Sequence, residues 1–332
     1  MTELIHGYDG FLFIGDVHST SRAPARRIDD YAAASLDKLR QSVQIALERN
    51  LFAVCLGDLF HRPRENDLTL LTRMMGVLAP LRDRMVVVGG SHDRTETLFT
   101  EKDACELLER AGSVRLVDEP GKVCSFDFGG QLVNLWATPA GYNIPDYVDG
   151  KGARNIMVTH HDLDFRGPYP GCHTLKEIEN CDLLVNGHMH TPAPMVLMGR
   201  TACHNPGSIT RPSVDLVNHK PVVSVWTPAH RLGLEAVPLV VAGNVFDMTG
   251  KEAYAADPKT LKASLPSGLR MSHFAAQLRS TDSMGTTRST DGSVMVEELQ
   301  GYFELFDTPD NLKRYLKGLL SEVVEDQAAA AA

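Results

Sequence analysis

Short apolar runs that stop abruptly at aspartate or histidine recur along this chain. Residues 11–14, Phe-Leu-Phe-Ile, lead into Gly15-Asp16-Val17-His18, and residues 53–56, Ala-Val-Cys-Leu, lead into Gly57-Asp58. Residues 85–88, Met-Val-Val-Val, precede Gly89-Gly90-Ser91-His92-Asp93, and Met157-Val158-Thr159 precedes His160-His161. A fifth run, residues 183–185, opens Asn186-Gly187-His188-Met189-His190. Continuous apolar runs of this length read as strands buried on both faces. Between the first three the spacing turns helical. Residues 29–50, with Asp29 or Asp30 able to cap, put Leu36, Leu39, Val43, Ala46 and Leu47 on one face, and 67–78 and 101–111 read as further helices. Strand–helix alternation is what a largely parallel sheet requires.

The texture then changes. Residues 114–117, 123–128 and 132–137 are short strand-like runs around Pro120-Gly121 and Gly129-Gly130, and predict an antiparallel meander. Strands follow at 155–159 and 183–185, with a short helix at 175–180 and loops at 142–152 and 165–172. Strands at 196–198, 201–204, 222–226 and 234–241 close a second β-rich block. The pattern predicts a main domain over 1–242, a small α+β or helical accessory region over 243–327, and a disordered alanine-rich end at 328–332. Within the accessory region, 250–258 is linker-like and 280–293 reads as a mobile connection. Residues 309–324 read as a helix whose stripe of Leu312, Tyr315, Leu316, Leu319, Leu320 and Val323 would dock on its own domain or on a partner.

Charge narrows the function. Thirty-three Lys and Arg against 42 Asp and Glu leave a net charge of -9, so no global field draws this chain to nucleic acid or anionic lipid. A polyanion site would have to be local or supplied by metal ions. The loop at 19–27, with Arg22, Arg26 and Arg27 near Asp16, predicts such a local basic lip. Six cysteines show no metal or disulfide spacing. With no basic leader and no run near the roughly 18 apolar residues a span needs, the reading is a soluble cytoplasmic protein with no membrane association.

Asp16, His18, Asp58, His92, His160, His188 and His190 all stand at or just past strand ends, where an open α/β sheet presents ligands to a crevice. Imidazole and carboxylate bind divalent transition metals, and a bridging aspartate can hold two ions roughly 3.5–4 Å apart in phosphoester-cleaving sites. A lone D-x-H or G-H-x-H says little; five such endings in series are specific.

These five endings resemble the ordered signature motifs of calcineurin-like metallophosphoesterases over roughly residues 10–210. The resemblance implies a four-layer αββα sandwich with two mixed β-sheets and two divalent ions at one edge, Mn2+ first, with Fe, Zn and Mg as alternatives. It implies that Asp16, His18, Asp58 and His190 hold one ion, while Asp58, Ser91, His160 and His188 hold the other. His92, aligned by Asp93, would assist the leaving oxygen as an acid, or stabilise the transferring phosphoryl group, while a hydroxide shared by the cations attacks in line. His61 would contact the phosphate or hold the strand end, and Arg22, Arg62 and Arg211 would contact substrate. Ser91 departs from the family's asparagine, a better cation donor. His161 alternates to the opposite side of its strand from His160, and His204 is read as a non-ligand.

Gly57-Asp58-Leu59-Phe60-His61-Arg62-Pro63 and Asn205-Pro206-Gly207-Ser208-Ile209 are similar to the SbcD-type DNA repair nucleases. That similarity implies a DNA exo- or endonuclease, an SMC-like ATPase partner of the SbcC type, and compatibility with a homodimer. A phosphodiesterase or phosphatase for small nucleotides stands as the alternative, as does an inert metal-holding scaffold for such an ATPase.

Overall fold

The computed structural model describes residues 4–249 except 25 and 170. The linker-like stretch, the mobile connection and the last helix expected from the sequence lie outside the described residues. In chain order the strands are β1 (Leu4–His6), β2 (Gly10–Ile14), β3 (Leu51–Cys55), β4 (Met85–Val88), β5 (Arg115–Val117), β6 (Gly121–Phe128), β7 (Gln131–Thr138), β8 (Arg154–His160), β9 (Leu183–Gly187), β10 (Ala193–Met198), β11 (Thr201–Asn205), β12 (Val222–Trp226) and β13 (Glu235–Pro238). Helices α1 (Tyr31–Glu48), α2 (Leu68–Leu78) and α3 (Ala104–Arg110) follow β2, β3 and β4. One sheet runs β13-β12-β2-β3-β4-β5, the other β1-β6-β7-β8-β9-β11-β10, and both mix parallel and antiparallel pairs.

The uninterrupted apolar runs serve two cores at once. Along β2 and β3, Phe11, Phe13, Phe52 and Val54 face the second sheet, where Phe11 meets Phe126 edge-on at 4.7 Å and Trp226 lies close by. The alternate residues Leu12, Ile14, Ala53 and Cys55 face the helices and pack on Leu36, Leu39, Leu70, Met74 and Leu108. A strand with a helix layer on one side and a sheet on the other has no polar face, so period-2 alternation disappears from its sequence.

The two mixed sheets are as expected, and two local expectations are corrected. Residues 114–117 do not begin an antiparallel meander. β5 pairs parallel with β4, and α3 supplies the crossover a parallel pair needs. Only β6 and β7, joined at Gly129-Gly130, form the expected hairpin. The helix expected at 175–180 is absent because its backbone donors go elsewhere: Leu175 N–H to Asp164, Ile178 N–H to the Thr201 hydroxyl and Glu179 N–H to the Asp146 carbonyl. Leu175 and Ile178 still cover the outer face of the second sheet, with Val148, Leu163 and Phe165, as irregular segments where a helix layer was expected. Strand β1, too short to signal itself, adds parallel to β6 at the sheet edge. Val245 and Phe246 are buried and pair with 26–28, so the chain past residue 242 continues against the main fold.

Candidate metal centre

Three parallel strands of one sheet and two of the other deliver their carboxyl ends to a single edge. β2 ends at Asp16-Val17-His18, β3 at Gly57-Asp58, β4 at Ser91-His92, β8 at His160 and β9 at His188. The ends are tied together by backbone: Val17 and His18 N–H groups donate to the Asp58 carbonyl at 3.1 and 2.8 Å. His160 Nδ1 lies 2.9 Å from the Leu56 carbonyl and so couples the two sheets. This close approach needs glycine. A Cβ on Gly57 would stand 2.2 Å from His160 Nδ1, and one on Gly90 would stand 2.2 Å from Asp58 Oδ1. His18, Asp58 and His188 sit at φ 48°, 47° and 70°, a left-handed backbone that is unfavourable for side chains of this size and clusters at functional sites.

The side chains converge. Asp16, His18 and His190 bring one ligand atom each within 4.8 Å of one another, and so do Asp58, His160 and His188. His190 Nε2 is 3.5 Å from Asp16 Oδ2 and 2.7 Å from His18 Nε2, while Asp58 Oδ2 is 3.6 Å from His18 Nε2 and 3.2 Å from His160 Nε2. Asp58 therefore stands between the two groups. Ser91 Oγ lies 3.5 Å from the same Asp58 oxygen, on the exposed side. Asp16 Oδ2 and His160 Nε2 are buried and make no well-formed hydrogen bond beyond these close approaches to His190 and Asp58. Buried polar atoms left unpaired are costly unless a cation satisfies them, so these residues fit a pair of metal ions. The Leu56 carbonyl, by accepting a hydrogen bond from the His160 Nδ1–H, would turn the Nε2 lone pair into the site.

Electrostatics agree with that fit. Burial pushes His190 down to about 4, which makes it a neutral donor at neutral pH. Burial also pushes Asp16 up to about 7, with Asp58 adding to the shift and His160 opposing it. Burial alone would lower His160, but the Asp58 carboxylate overrides it and holds the ring up at about 10. Without metal, His160 therefore carries a proton at pH 7 that a cation must displace. Mn2+ titrated into metal-free protein at pH 7 is expected to release on the order of one proton per chain, and affinity should rise with pH as proton competition falls. Calorimetry in buffers of different ionisation enthalpy measures both.

Other expected site residues go elsewhere. Asp93 does not align His92: its buried carboxylate accepts the Phe60 and Gly90 N–H groups at 2.9 and 3.1 Å and so holds two site loops together. His92 is set instead by its Nδ1, 3.0 Å from the His61 carbonyl, and by its N–H donating to Asp58 Oδ1 at 2.7 Å. His61 stacks against His92 at the rim with ring centroids 5.6 Å apart. Arg211 is turned away: its guanidinium donates to the Val217 and Ala242 carbonyls and lies over Phe246. Arg27 pairs with Asp29, and Arg26 donates to the Asp247 and Thr249 carbonyls. Of the basic lip, Arg22 remains exposed, on a loop that Ser21 and Glu65 tie to the loop bearing exposed Arg62 and Arg64. His161 points to the far side of β8, toward the Tyr142 carbonyl, and His204 reaches the Leu232 carbonyl.

Sequence reasoning missed Asn186 and the role of Asn205. Asn186, fully buried, accepts from the Thr159 hydroxyl and the His161 N–H and donates to the His161 and Gly187 carbonyls, so one amide fastens the ends of β8 and β9. Asn205 donates to the Met189 and Thr191 carbonyls on either side of His190. The neighbouring Gly-His pattern hides an asparagine whose partners are distant. Asn186→Leu strands several buried groups and is expected to lower unfolding free energy by about 2–4 kcal/mol, measured by urea denaturation.

Among the described residues no helix is long and apolar enough to cross a membrane. No curated protein matches this chain. Among solved structures, a phosphoesterase from E. coli, Yfce, is 16% identical with a TM-score of 0.37, covering 66% of this chain and 88% of its own. A 5'-nucleotidase precursor from Thermus thermophilus is 13% identical with a TM-score of 0.40, covering 76% and 59%. A dimetal phosphatase from Danio rerio is 12% identical with a TM-score of 0.40, covering 66% and 92%. The family model described as calcineurin-like phosphoesterase matches residues 10–192, a span that contains all five strand-end motifs, and this chain belongs to that family of metal-dependent hydrolases.

Proposed function

We propose that this phosphoesterase is a phosphodiesterase that cuts nucleic-acid backbones, with DNA as its substrate class, in the manner of the SbcD-type nucleases. The observation that carries the reading is the openness of the edge. Asp16, His18, Asp58 and His160 are buried, whereas Ser91 and His92 are exposed and His61, His188 and His190 partly so. A phosphodiester within a long strand can lie along such a rim. Asp16, His18, Asp58 and His190 would hold one cation and Asp58, Ser91, His160 and His188 the other, with Mn2+ proposed. Once bound, the ions supply charge that polarises the phosphoryl group and acidifies an attacking water. With Nδ1 held by the His61 carbonyl, His92 has Nε2 free to hand a proton to the leaving sugar oxygen. Arg22, Arg62 and Arg64 would meet flanking phosphates. An SMC-like ATPase partner, assembly as a homodimer and residence in the cytoplasm belong to the same reading.

One observation favours small nucleotides instead: Arg26, Arg27 and Arg211 are engaged within the fold, and the chain is acidic overall. Salt separates the two. Each neutralised phosphate on single-stranded DNA contributes roughly -0.7 to the slope of log affinity against log salt, so three free arginines should give about -2. Binding of fluorescent single-stranded DNA from 50 mM to 200 mM salt checks this, with Mn2+-dependent cleavage of linear single- and double-stranded DNA beside it. A nearly flat slope with no DNA cleavage transfers the reading to small nucleotides.

A further inference from the structure

His18, His61 and His92 form a third grouping at this edge, beside the two that contain carboxylates and sharing His18 with one of them. One ring nitrogen from each lies within 4.8 Å of the others. The rings are compactly arranged, with centroids 5.4 Å apart for His18 and His61, 4.9 Å for His18 and His92, and 5.6 Å for His61 and His92. They are also anchored: the His61 N–H donates to the Ser19 carbonyl at 2.9 Å, and the His92 N–H to Asp58 Oδ1. His18 Nδ1 and His61 Nδ1 are buried with no hydrogen-bond partner, and His92 keeps Nε2 free.

Ligand chemistry separates this group from its neighbours. Each neighbouring group mixes one carboxylate with two imidazoles, whereas this one offers imidazoles alone; because Mn2+ and Mg2+ prefer oxygen donors, it is the group of the three that leans furthest toward Zn2+, Cu2+ or Ni2+. We propose that His18, His61 and His92 form an inhibitory site for such nitrogen-preferring cations, with Zn2+ first among them. The proposal rests on the reading that His92 serves the leaving oxygen. A cation seated on His92 Nε2 takes the position of the proton that the leaving oxygen needs. Because His18 also belongs to the group with Asp16 and His190, the same cation draws a ligand from the productive arrangement. Excess Zn2+ would thus silence the site without disturbing the fold.

The test compares two metals on metal-free protein by calorimetry, in wild type, His61→Ala and His61→Gln, the last keeping bulk and a polar tip. Wild type should show a Zn2+ class whose affinity falls at least about tenfold in both variants, as expected for loss of one ligand in three. Mn2+ affinity should be unchanged, because His61 belongs to neither carboxylate-containing group. Zn2+ inhibition of the Mn2+-loaded enzyme should shift to higher concentration by the same factor. Wild-type Zn2+ affinity in both variants, or an equal loss of Mn2+ affinity, would overturn the site. Hydrolysis of bis(p-nitrophenyl) phosphate by Mn2+-loaded wild type, read without Zn2+, separates the two failures: its absence would sink the hydrolytic reading and leave the Zn2+ comparison standing.

Discussion

Asp58→Asn is expected to abolish Mn2+-dependent phosphodiester hydrolysis and to remove both cations from the protein. The Asp58 carboxylate stands between the two ligand sets, with Oδ2 3.6 Å from His18 Nε2, 3.2 Å from His160 Nε2 and 3.5 Å from Ser91 Oγ. Asparagine keeps the shape and leaves Oδ1 able to accept the His92 N–H, so the fold should survive. What it loses is negative charge at the one point that two cations would share, and it turns an amide N–H toward them. Loss of a shared electrostatic anchor should lower kcat/KM at least ~1,000-fold, about 4 kcal/mol. Metal content by mass spectrometry and turnover of bis(p-nitrophenyl) phosphate measure the two effects. A variant that still carries two Mn2+ per chain would show that Asp58 is not the bridge.

His92→Ala should behave differently, keeping its metals and losing rate. The ring is exposed, fixed by the His61 carbonyl, and absent from both carboxylate-containing groups. Removing a positioned proton donor costs on the order of 100- to 10,000-fold. The loss should be largest on DNA, whose departing deoxyribose oxygen is a strong base, and much smaller on a p-nitrophenyl ester, whose leaving group needs no proton. Equal losses on both substrates would remove His92 as the acid and leave it a phosphate contact.

The six metal-ligand candidates other than Ser91 share one feature that made them legible: each stands at or within a few residues past the end of a strand. A parallel sheet gathers the carboxyl ends of its strands by construction, so Asp16 and Asp58 in one sheet, and His160 and His188 in the other, share an edge without any knowledge of their contacts, and the packing of the two sheets then brings the two edges together. Their chemistry was equally plain from residue type. The same reasoning misjudged Asp93 and Arg211, because a hydrogen-bonding side chain has many admissible partners and the nearest backbone donor or acceptor wins. Asp93 was taken by the Phe60 and Gly90 N–H groups, and Arg211 by the Val217 and Ala242 carbonyls.

By itself, then, the sequence determined most of the strands, the order of the ligands and the kind of ions they suit, because those follow from local periodicity and donor type. Tertiary structure alone decided that β5 runs parallel, that residues 175–180 lose their helix to outside partners, that Asn186 fastens two strand ends, and that His18, His61 and His92 meet. The physical reason is that hydrophobic burial acts through pattern, which a chain carries along its length, whereas hydrogen bonds and ligation act through distance and angle, which exist only once the chain has closed on itself.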